Sequence, residues 1–234
     1  MILSHKYNFL FIHVPKNAGS TISARLQEVL DPNTDVFLTK GNVRPDNYIG
    51  AGFDPDVRIV KHSGVTALKA SLGEQAFGKL FTFAVMRNPY SRFLSAFSFA
   101  KRKAIEYWDQ PSIAPYRRRF RDWSIEDCLP ALEEHAARTF AFRPQVSFVP
   151  EPGNVTWLAR FEHLEDDLRE LTDRLSLPVL SKADKNPELR APPDAWRSMP
   201  QTVKQAVADF YADDFRTFGY DVNDHEVLAS ASPA

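Results

Sequence analysis

The chain has 234 residues, 44% apolar and 25% charged, a composition typical of a soluble globular protein with a sizeable core. Its 29 basic and 30 acidic residues give a net charge of −1, which argues against a general binder of nucleic acid or membrane surfaces. The single cysteine, Cys128, excludes an intrachain disulfide and favours a reducing compartment. No membrane-spanning run or signal peptide is visible, so we expect a cytoplasmic protein without stable membrane insertion.

Strands and helices are predicted to alternate along the chain. In the first half, strands are predicted over 9–14, 57–60 and 80–86, and helices over 21–30, 65–72 and 89–107. In the second half, a strand is predicted over 155–160, and helices over 124–138, 162–175 and 202–215. This alternation predicts an α/β fold, a single domain with a central parallel sheet flanked by helices. We expect the domain to cover residues 1–220 and residues 221–234 to form a flexible tail.

The first chemically unusual turn, Val14-Pro-Lys-Asn-Ala-Gly-Ser-Thr21, lies between a buried strand and a helix. The N–H groups and partial positive charge of a helix N-terminus suit a phosphate. Gly19 allows the backbone to approach an anion, Ser20 and Thr21 offer hydroxyls, and Lys16 supplies a charge. The order differs from the G-x-x-x-x-G-K-[ST] loop of nucleotide hydrolases, and no partner aspartate for magnesium is evident. An ordinary strand-to-helix turn is the alternative interpretation.

The second unusual turn begins at Arg87, directly after a predicted strand. Asn88 suits the N-cap and Pro89 the first position of the following helix. Ser95 lies about two turns into that helix, and an arginine fork with a hydroxyl suits a second phosphate. Arg92 is expected to pair elsewhere in the fold, so we do not include it among the ligands.

Together, P-K-N-A-G-S-T and R-N-P-Y-S-R-F-L-S-A-F resemble the two motifs of sulfotransferase family 2 that bind 3′-phosphoadenosine 5′-phosphosulfate (PAPS). That family includes Golgi carbohydrate sulfotransferases, such as the heparan sulfate 2-O-sulfotransferases, and bacterial relatives. The segments Arg160–Leu164 and Phe210–Tyr220 are also similar to the family, so the resemblance covers about residues 9–220. It implies a P-loop-like sulfotransferase fold that uses PAPS and needs no metal.

The resemblance also implies a role for each motif residue. The 5′-phosphosulfate would be held by the first motif: Lys16, Asn17, Ala18, Gly19, Ser20 and Thr21. Arg87 and Ser95 would hold the 3′-phosphate. The reaction would transfer a sulfuryl group to a hydroxyl of a carbohydrate or small metabolite and release 3′,5′-ADP.

A general base is expected among the histidines, because an imidazole exchanges protons near neutral pH. His62 follows a predicted strand and precedes Gly64, and several family members use a histidine from this part of the fold. His13 is the second candidate, although its place in a buried strand favours a satisfied core histidine. The others are assigned to surface helices or tails: His5, His135, His163 and His225. Lys16 is expected to stabilise the leaving group as well as to bind.

The segment from Lys101 to Arg121 combines many basic residues with aromatic ones. Its basic residues are Lys101, Arg102, Lys103, Arg117, Arg118, Arg119 and Arg121. Such a run is either a solvated face or part of an acceptor-binding lid for a sugar or an anionic small molecule. By the family resemblance, Gln145 would lie near the acceptor.

Two other functions are open at this point. The first motif would also serve a P-loop-type nucleotide kinase or hydrolase, against which the order of the loop and the missing magnesium aspartate argue. A nucleotide-binding module without catalysis is the other alternative, and only the candidate base His62 argues against it.

Overall fold

The computed structural model describes residues 1–38, 52–54, 56–110, 115–181 and 194–223. These residues form two compact units, one from the described parts of 1–87 and 145–188, the other from those of 88–144 and 189–232. The single domain over residues 1–220 stays a prediction. Most of the expected C-terminal tail, residues 224–234, lies outside the described residues.

A mixed five-stranded sheet forms the centre of the first unit. Its strands are β1 (Ile2–Ser4), β2 (Phe9–Ile12), β3 (Val36–Phe37), β4 (Phe81–Met86) and β5 (Trp157–Arg160), in the order β3-β1-β2-β4-β5. Strands β2, β4 and β5 are parallel, as predicted, whereas β1 runs antiparallel to β2 and β3. The α/β class is confirmed and the sheet is mostly parallel. The prediction missed β1 and β3 because two or three residues are too few to show a period.

The strand predicted over residues 57–60 is wrong, although Ile59 is buried as a strand residue would be. Val60 N–H donates to the hydroxyl of Ser63 at 2.9 Å, and Ser63 N–H donates back to the Val60 carbonyl at 2.9 Å. This local turn uses the donor and acceptor that a strand would offer to a neighbour.

The helices of the structure mostly follow the prediction. In chain order, α1–α9 span Gly19–Gln27, Val65–Leu72, Glu74–Gly78, Pro89–Glu106, Pro115–Arg118, Leu132–Arg138, Leu164–Leu175, Gln201–Phe210 and Ala212–Phe218. The helix predicted over 124–138 begins as a 3₁₀ segment that contains Pro130, which cannot donate a helical hydrogen bond. The last predicted helix divides at Tyr211 into α8 and α9.

Helices α1 and α7 cover one face of the sheet. Phe11 of β2 and Phe83 of β4 stack at 5.0 Å, because they are register partners on neighbouring strands. The apolar side chains of Ile22 in α1 and Leu168 in α7 belong to the same buried cluster. On the rim, Arg25 of α1 makes a bidentate ion pair with Glu165 of α7 at 2.8 and 3.0 Å. Because Arg25 lies in the last turn of α1, this ion pair ties the end of α1 to α7.

The second unit is built around α4, which starts as predicted. The Asn88 side-chain oxygen accepts the N–H groups of Tyr90 and Ser91 at 2.9 and 3.3 Å. Arg92 is fully buried, and burial lowers its pKa while neighbouring Tyr211 and Asp214 raise it. Arg92 therefore has a place in the core of this unit, as expected for a residue that is not a ligand.

The assignment of His135 to the surface is wrong. His135 lies one helical turn after Leu132, on the inner face of α6, and is completely buried. Its ring centroid is 4.6 Å from that of Phe120 and 5.5 Å from that of Phe142. Neither ring nitrogen has a hydrogen-bond partner among the residues that the structure describes. The helix period, and not the polarity of the side chain, decided its position.

Candidate anion-binding and catalytic site

The candidate site lies in the first unit, at the carboxyl ends of the parallel strands. Strands β2, β4 and β5 point in the same direction, so the segments that follow them meet at one edge of the sheet. These segments are the loop 13–18, Arg87 and the 3₁₀ turn Phe161–His163. Open α/β sheets bind their ligands at this edge.

The loop after β2 has a backbone shape that suits an anion. Lys16 and Ala18 have φ angles of 70° and 59°, in the left-handed region that residues with a Cβ rarely adopt. Left-handed residues on either side of Asn17 give the alternation that turns successive N–H groups toward one concave surface. Ala18 is also the N-cap of α1 and provides no side-chain cap. The first N–H groups of a helix have no intrahelical acceptor, so the start of α1 suits an anion.

The predicted loop side chains differ in their exposure. Ser20 is exposed and Lys16 is half-buried, whereas Thr21 is buried in the first turn of α1. Gly19 is buried against His13, and a Cβ at position 19 would lie 2.4 Å from two atoms of the imidazole. Glycine at this position is therefore required by packing, a reason that the sequence did not suggest.

Asn17 has an inward-facing side chain. Its Nδ2 donates to the Val85 carbonyl at 2.6 Å and to Oε1 of Gln145 at 2.6 Å. The residue is almost fully buried, so its side chain anchors the loop to the end of β4. Of the groups of Asn17, its backbone N–H is the one suited to an anion.

Arg87 connects the two predicted motifs. Its Nη1 donates to the Lys16 carbonyl at 3.1 Å, and its guanidinium stacks 3.8 Å above the centroid of the Phe161 ring. A carbonyl on one side and an aromatic face on another fix the plane of the guanidinium. Phe161 was not among the predicted site residues, although it belongs to the Arg160–Leu164 segment that carried part of the family resemblance.

Ser95 belongs to the second unit, where it is half-buried on α4. Ser91, one turn earlier on the same helix, is buried. The pairing of Ser95 with Arg87 around one phosphate stays a prediction.

His62 has a defined ring orientation beside the loop. Its Nδ1 lies 3.0 Å from the carbonyl oxygen of His13, which can only accept, so Nδ1 carries the proton in the neutral ring. Nε2 is then the basic nitrogen. The turn after His62 is anchored on the backbone of Phe148. Gly64 packs against it so closely that a Cβ at position 64 would lie 2.8 Å from Phe148 Cα, and Val65 N–H donates to Phe148 O at 2.8 Å.

His13 is buried, as predicted. The expectation that its ring is fully hydrogen-bonded is wrong. Its Nδ1 has no hydrogen-bond partner within the described residues, and its ring meets that of His62 edge-on at 4.7 Å. Burial, helped by positive charge at the amino terminus, Lys61 and His62, holds the pKa of His13 well below 6.5. A neutral, enclosed imidazole is a poorer candidate for proton transfer than the half-buried His62.

The basic segment from Lys101 to Arg121 lies in the second unit. Several of its charges have local contacts: Lys101 Nζ donates to Trp123 O at 3.0 Å, and Lys103 pairs with Glu106 at 2.6 Å. Arg121 lies 4.2 Å above the Trp108 ring. Residues 111–114 fall outside the described residues, and both interpretations of the segment stay open.

The described residues include neither a membrane-spanning helix nor a cluster of metal-binding side chains. No helix in the described part of the chain is long and apolar enough to cross a membrane. Over the same residues, no group of three or more histidine, cysteine, aspartate or glutamate side chains is arranged to hold a metal ion.

Comparison with known proteins supports the resemblance found in the sequence. Residues 1–221 match the family model described as "Sulfotransferase family". A search of curated proteins and a search of solved structures each gave no match. Because the family match spans nearly the whole chain, including every predicted site residue, this protein belongs to the sulfotransferase family.

Proposed function

We propose that the protein transfers a sulfuryl group from PAPS to a hydroxyl of a carbohydrate or small metabolite and releases 3′,5′-ADP. The observation that carries this proposal is the 3.1 Å hydrogen bond from Arg87 to the Lys16 carbonyl, which brings a guanidinium to a loop whose backbone shape suits an anion. A sulfuryl donor with two separated anionic groups, such as PAPS, fits this arrangement, because the loop 13–18 and the guanidinium of Arg87 can each bind one of them. Membership of the sulfotransferase family supports the same reaction class.

The residues of the two motifs fit PAPS in its charge and its hydrogen-bonding groups. The left-handed backbone at Lys16 and Ala18 and the start of α1 suit the 5′-phosphosulfate, with Ser20 and Thr21 as further donors. Arg87, together with Ser95 of the second unit, would bind the 3′-phosphate. In this arrangement no metal is required, because fixed N–H groups and cationic side chains provide the positive charge.

In the transfer itself, the acceptor oxygen forms a bond to sulfur while the bond between sulfur and the bridging phosphate oxygen breaks. The proton of the acceptor hydroxyl passes to Nε2 of His62, the nitrogen left basic by the hydrogen bond at Nδ1. The electron pair of the broken bond remains on the phosphate of 3′,5′-ADP. Lys16 stabilises the charge that develops on that oxygen.

The acceptor is a hydroxyl compound and not a nucleic acid, consistent with the overall charge of −1. We further propose that the reaction takes place in the cytoplasm, where a lone cysteine such as the buried Cys128 remains a thiol. The basic segment from Lys101 to Arg121 is our candidate for contacts with the acceptor.

The proposal is tested by incubating the protein with sulfur-labelled PAPS and a panel of hydroxyl acceptors. Sulfated product and 3′,5′-ADP should appear in equal amounts, in the presence of a chelator as well as without one. Tight binding of 3′,5′-ADP without turnover on any acceptor would favour a nucleotide-binding module. Magnesium-dependent turnover of ATP in place of PAPS would favour a kinase or hydrolase.

A further inference from the structure

Gln145 is a completely buried side chain that connects the two motifs of the site. Its Oε1 accepts two hydrogen bonds, one from Asn17 Nδ2 at 2.6 Å and one from the backbone N–H of Arg87 at 3.0 Å. Its Nε2 donates to the backbone carbonyl of Arg87 at 2.9 Å. One amide group thus binds both polar atoms of the Arg87 backbone and the side chain of Asn17. Asn17 in turn anchors the loop 13–18, which is called the phosphate loop below.

The chemistry of these contacts requires an amide. The oxygen faces two donors and the NH₂ group faces an acceptor, so a flipped amide would oppose like groups on both sides. A carboxylate would lack the donor for Arg87 O, and an apolar side chain would leave buried peptide groups of Arg87 without this partner. Glutamine is the residue whose length and polarity satisfy all three contacts at once.

Gln145 also has a position that excludes direct contact with a ligand. It has no exposed surface, so it can influence binding only through the residues that it holds. Two other bonds hold the same parts: Asn17 Nδ2 to Val85 O at 2.6 Å, and Arg87 Nη1 to Lys16 O at 3.1 Å. The first fixes Asn17 on β4, and the second joins the side chain of Arg87 directly to the loop after β2. The amide of Gln145 is the group that joins Asn17 to the Arg87 backbone.

We infer that Gln145 is a positioning residue that sets the spacing between the phosphate loop and Arg87. This inference rests on the proposed function, because that spacing matters only if one ligand contacts both motifs. It also revises the expectation from the family resemblance, since a fully enclosed Gln145 acts on the donor side of the reaction through Asn17 and Arg87. Loss of the amide should loosen the loop and weaken nucleotide binding together.

The test compares Gln145→Met with the matched control Thr82→Val. Thr82, at the other end of β4, is also buried, and its hydroxyl accepts the N–H of Thr156 at 2.9 Å. We expect Gln145→Met to weaken 3′,5′-ADP binding about tenfold or more, about 1.4 kcal/mol. Thr82→Val should lower the free energy of unfolding but leave the affinity of the folded protein unchanged. Equal affinities for Gln145→Met and the wild-type protein would overturn the inference.

A double-mutant cycle with Arg87→Ala separates positioning from general destabilisation. If Gln145 acts through Arg87, the loss caused by Arg87→Ala should be smaller in the Gln145→Met background than in the wild-type protein. Additive losses would contradict the inference. Should Gln145→Met fail to fold, Gln145→Glu keeps the accepting oxygen and replaces the donor to Arg87 O by a second acceptor, and the same cycle applies.

Hydrogen exchange distinguishes failure of this inference from failure of the proposed function. If the wild-type protein does not bind 3′,5′-ADP, the proposed function is wrong, but the loop can still be examined. The amides of Asn17, Ala18 and Gly19 should exchange faster in Gln145→Met than in Thr82→Val, without any ligand. Equal exchange in the two variants would show that Gln145 does not position the loop.

Discussion

The imidazole of His13 occupies the space beside Gly19 where a side chain would begin, because a Cβ at position 19 would lie 2.4 Å from its Cδ2 and Nε2 atoms. Both residues are buried, so neither can move aside into solvent. The glycine of the phosphate loop is therefore set by a side chain of the preceding strand end as well as by any anion. Gly19 therefore has two possible roles, packing against His13 and close approach to an anion, and the two can be measured independently.

Gly19→Ala should lower the free energy of unfolding by about 1–3 kcal/mol, because the added methyl overpacks the contact with His13. The double variant His13→Ala/Gly19→Ala should be destabilised by less than the sum of its two single variants, since the alanine at 13 makes room for the methyl. Urea denaturation of the four proteins gives the comparison. Additive free energies would show that the contact is not the reason for glycine at this position.

The 3′-phosphate should be recognised through Arg87. We expect 3′,5′-ADP to bind at least about tenfold more tightly than 5′-AMP, about 1.4 kcal/mol, a modest gain for a charge-assisted contact. Arg87→Ala should abolish this difference, while Arg174→Ala, an exposed arginine on α7, should preserve it. Calorimetry of the three proteins with both nucleotides measures the six affinities. Equal binding of the two nucleotides by the wild-type protein would remove the role of Arg87.

Lys16→Ala should lower kcat sharply, because the ammonium is needed most when charge develops on the leaving phosphate. Arg87→Ala should instead act mainly on nucleotide binding, since the 3′-phosphate is remote from the reacting sulfur. Steady-state kinetics with PAPS as the varied substrate separates kcat from KM, and Lys79→Ala serves as an exposed control. A Lys16→Ala enzyme with normal kcat and raised KM would contradict the role in leaving-group stabilisation.

His62→Ala should slow turnover by roughly a hundredfold or more, the usual effect of removing a general base. The acidic limb of the profile of kcat/KM against pH should disappear with it, because the protonated imidazole can no longer block the reaction. Affinity for 3′,5′-ADP should hardly change. A folded His62→Ala protein with an unaltered rate and pH profile would end the assignment, and attention would turn to a carboxylate near the acceptor.

Acid should destabilise the second unit through His135. Burial lowers the pKa of His135 below 6.5; Glu134 opposes this shift, and Arg119 and Arg138 add to it. Between the ordinary value and the lowered one, the unfolded chain binds a proton that the folded protein does not, so stability falls as the pH drops below 6.5. This histidine contributes a slope of at most about 1.4 kcal/mol per pH unit.

His135→Phe should reduce that slope, because the aromatic surroundings accept a ring that never ionises. At pH values above neutrality the variant should be about as stable as the wild-type protein, since no hydrogen bond of His135 is lost among the described residues. Urea denaturation above and below the ordinary histidine pKa provides the test. An equal slope in both proteins would show that His135 does not contribute to the acid sensitivity.

The sequence by itself determined the features that depend on residues close together along the chain. The apolar runs that became β2 and β4, and the Asn88-Pro89 start of α4, follow from side-chain and backbone preferences within a few residues. The two motifs were also visible, because each is a contiguous turn after a strand. Their order along the chain was enough to indicate the family that the later match confirmed.

Only the tertiary structure decided which distant groups complete the site. Gln145 is 58 residues from Arg87 and 128 from Asn17, and it reaches both because β2 and β4 are neighbours in the sheet. Phe161 reaches Arg87 for the same reason, since β5 lies beside β4. A local pattern cannot reveal such contacts, because hydrogen-bond and stacking partners are set by the order of the strands. That order depends on how apolar surface from the whole chain is buried.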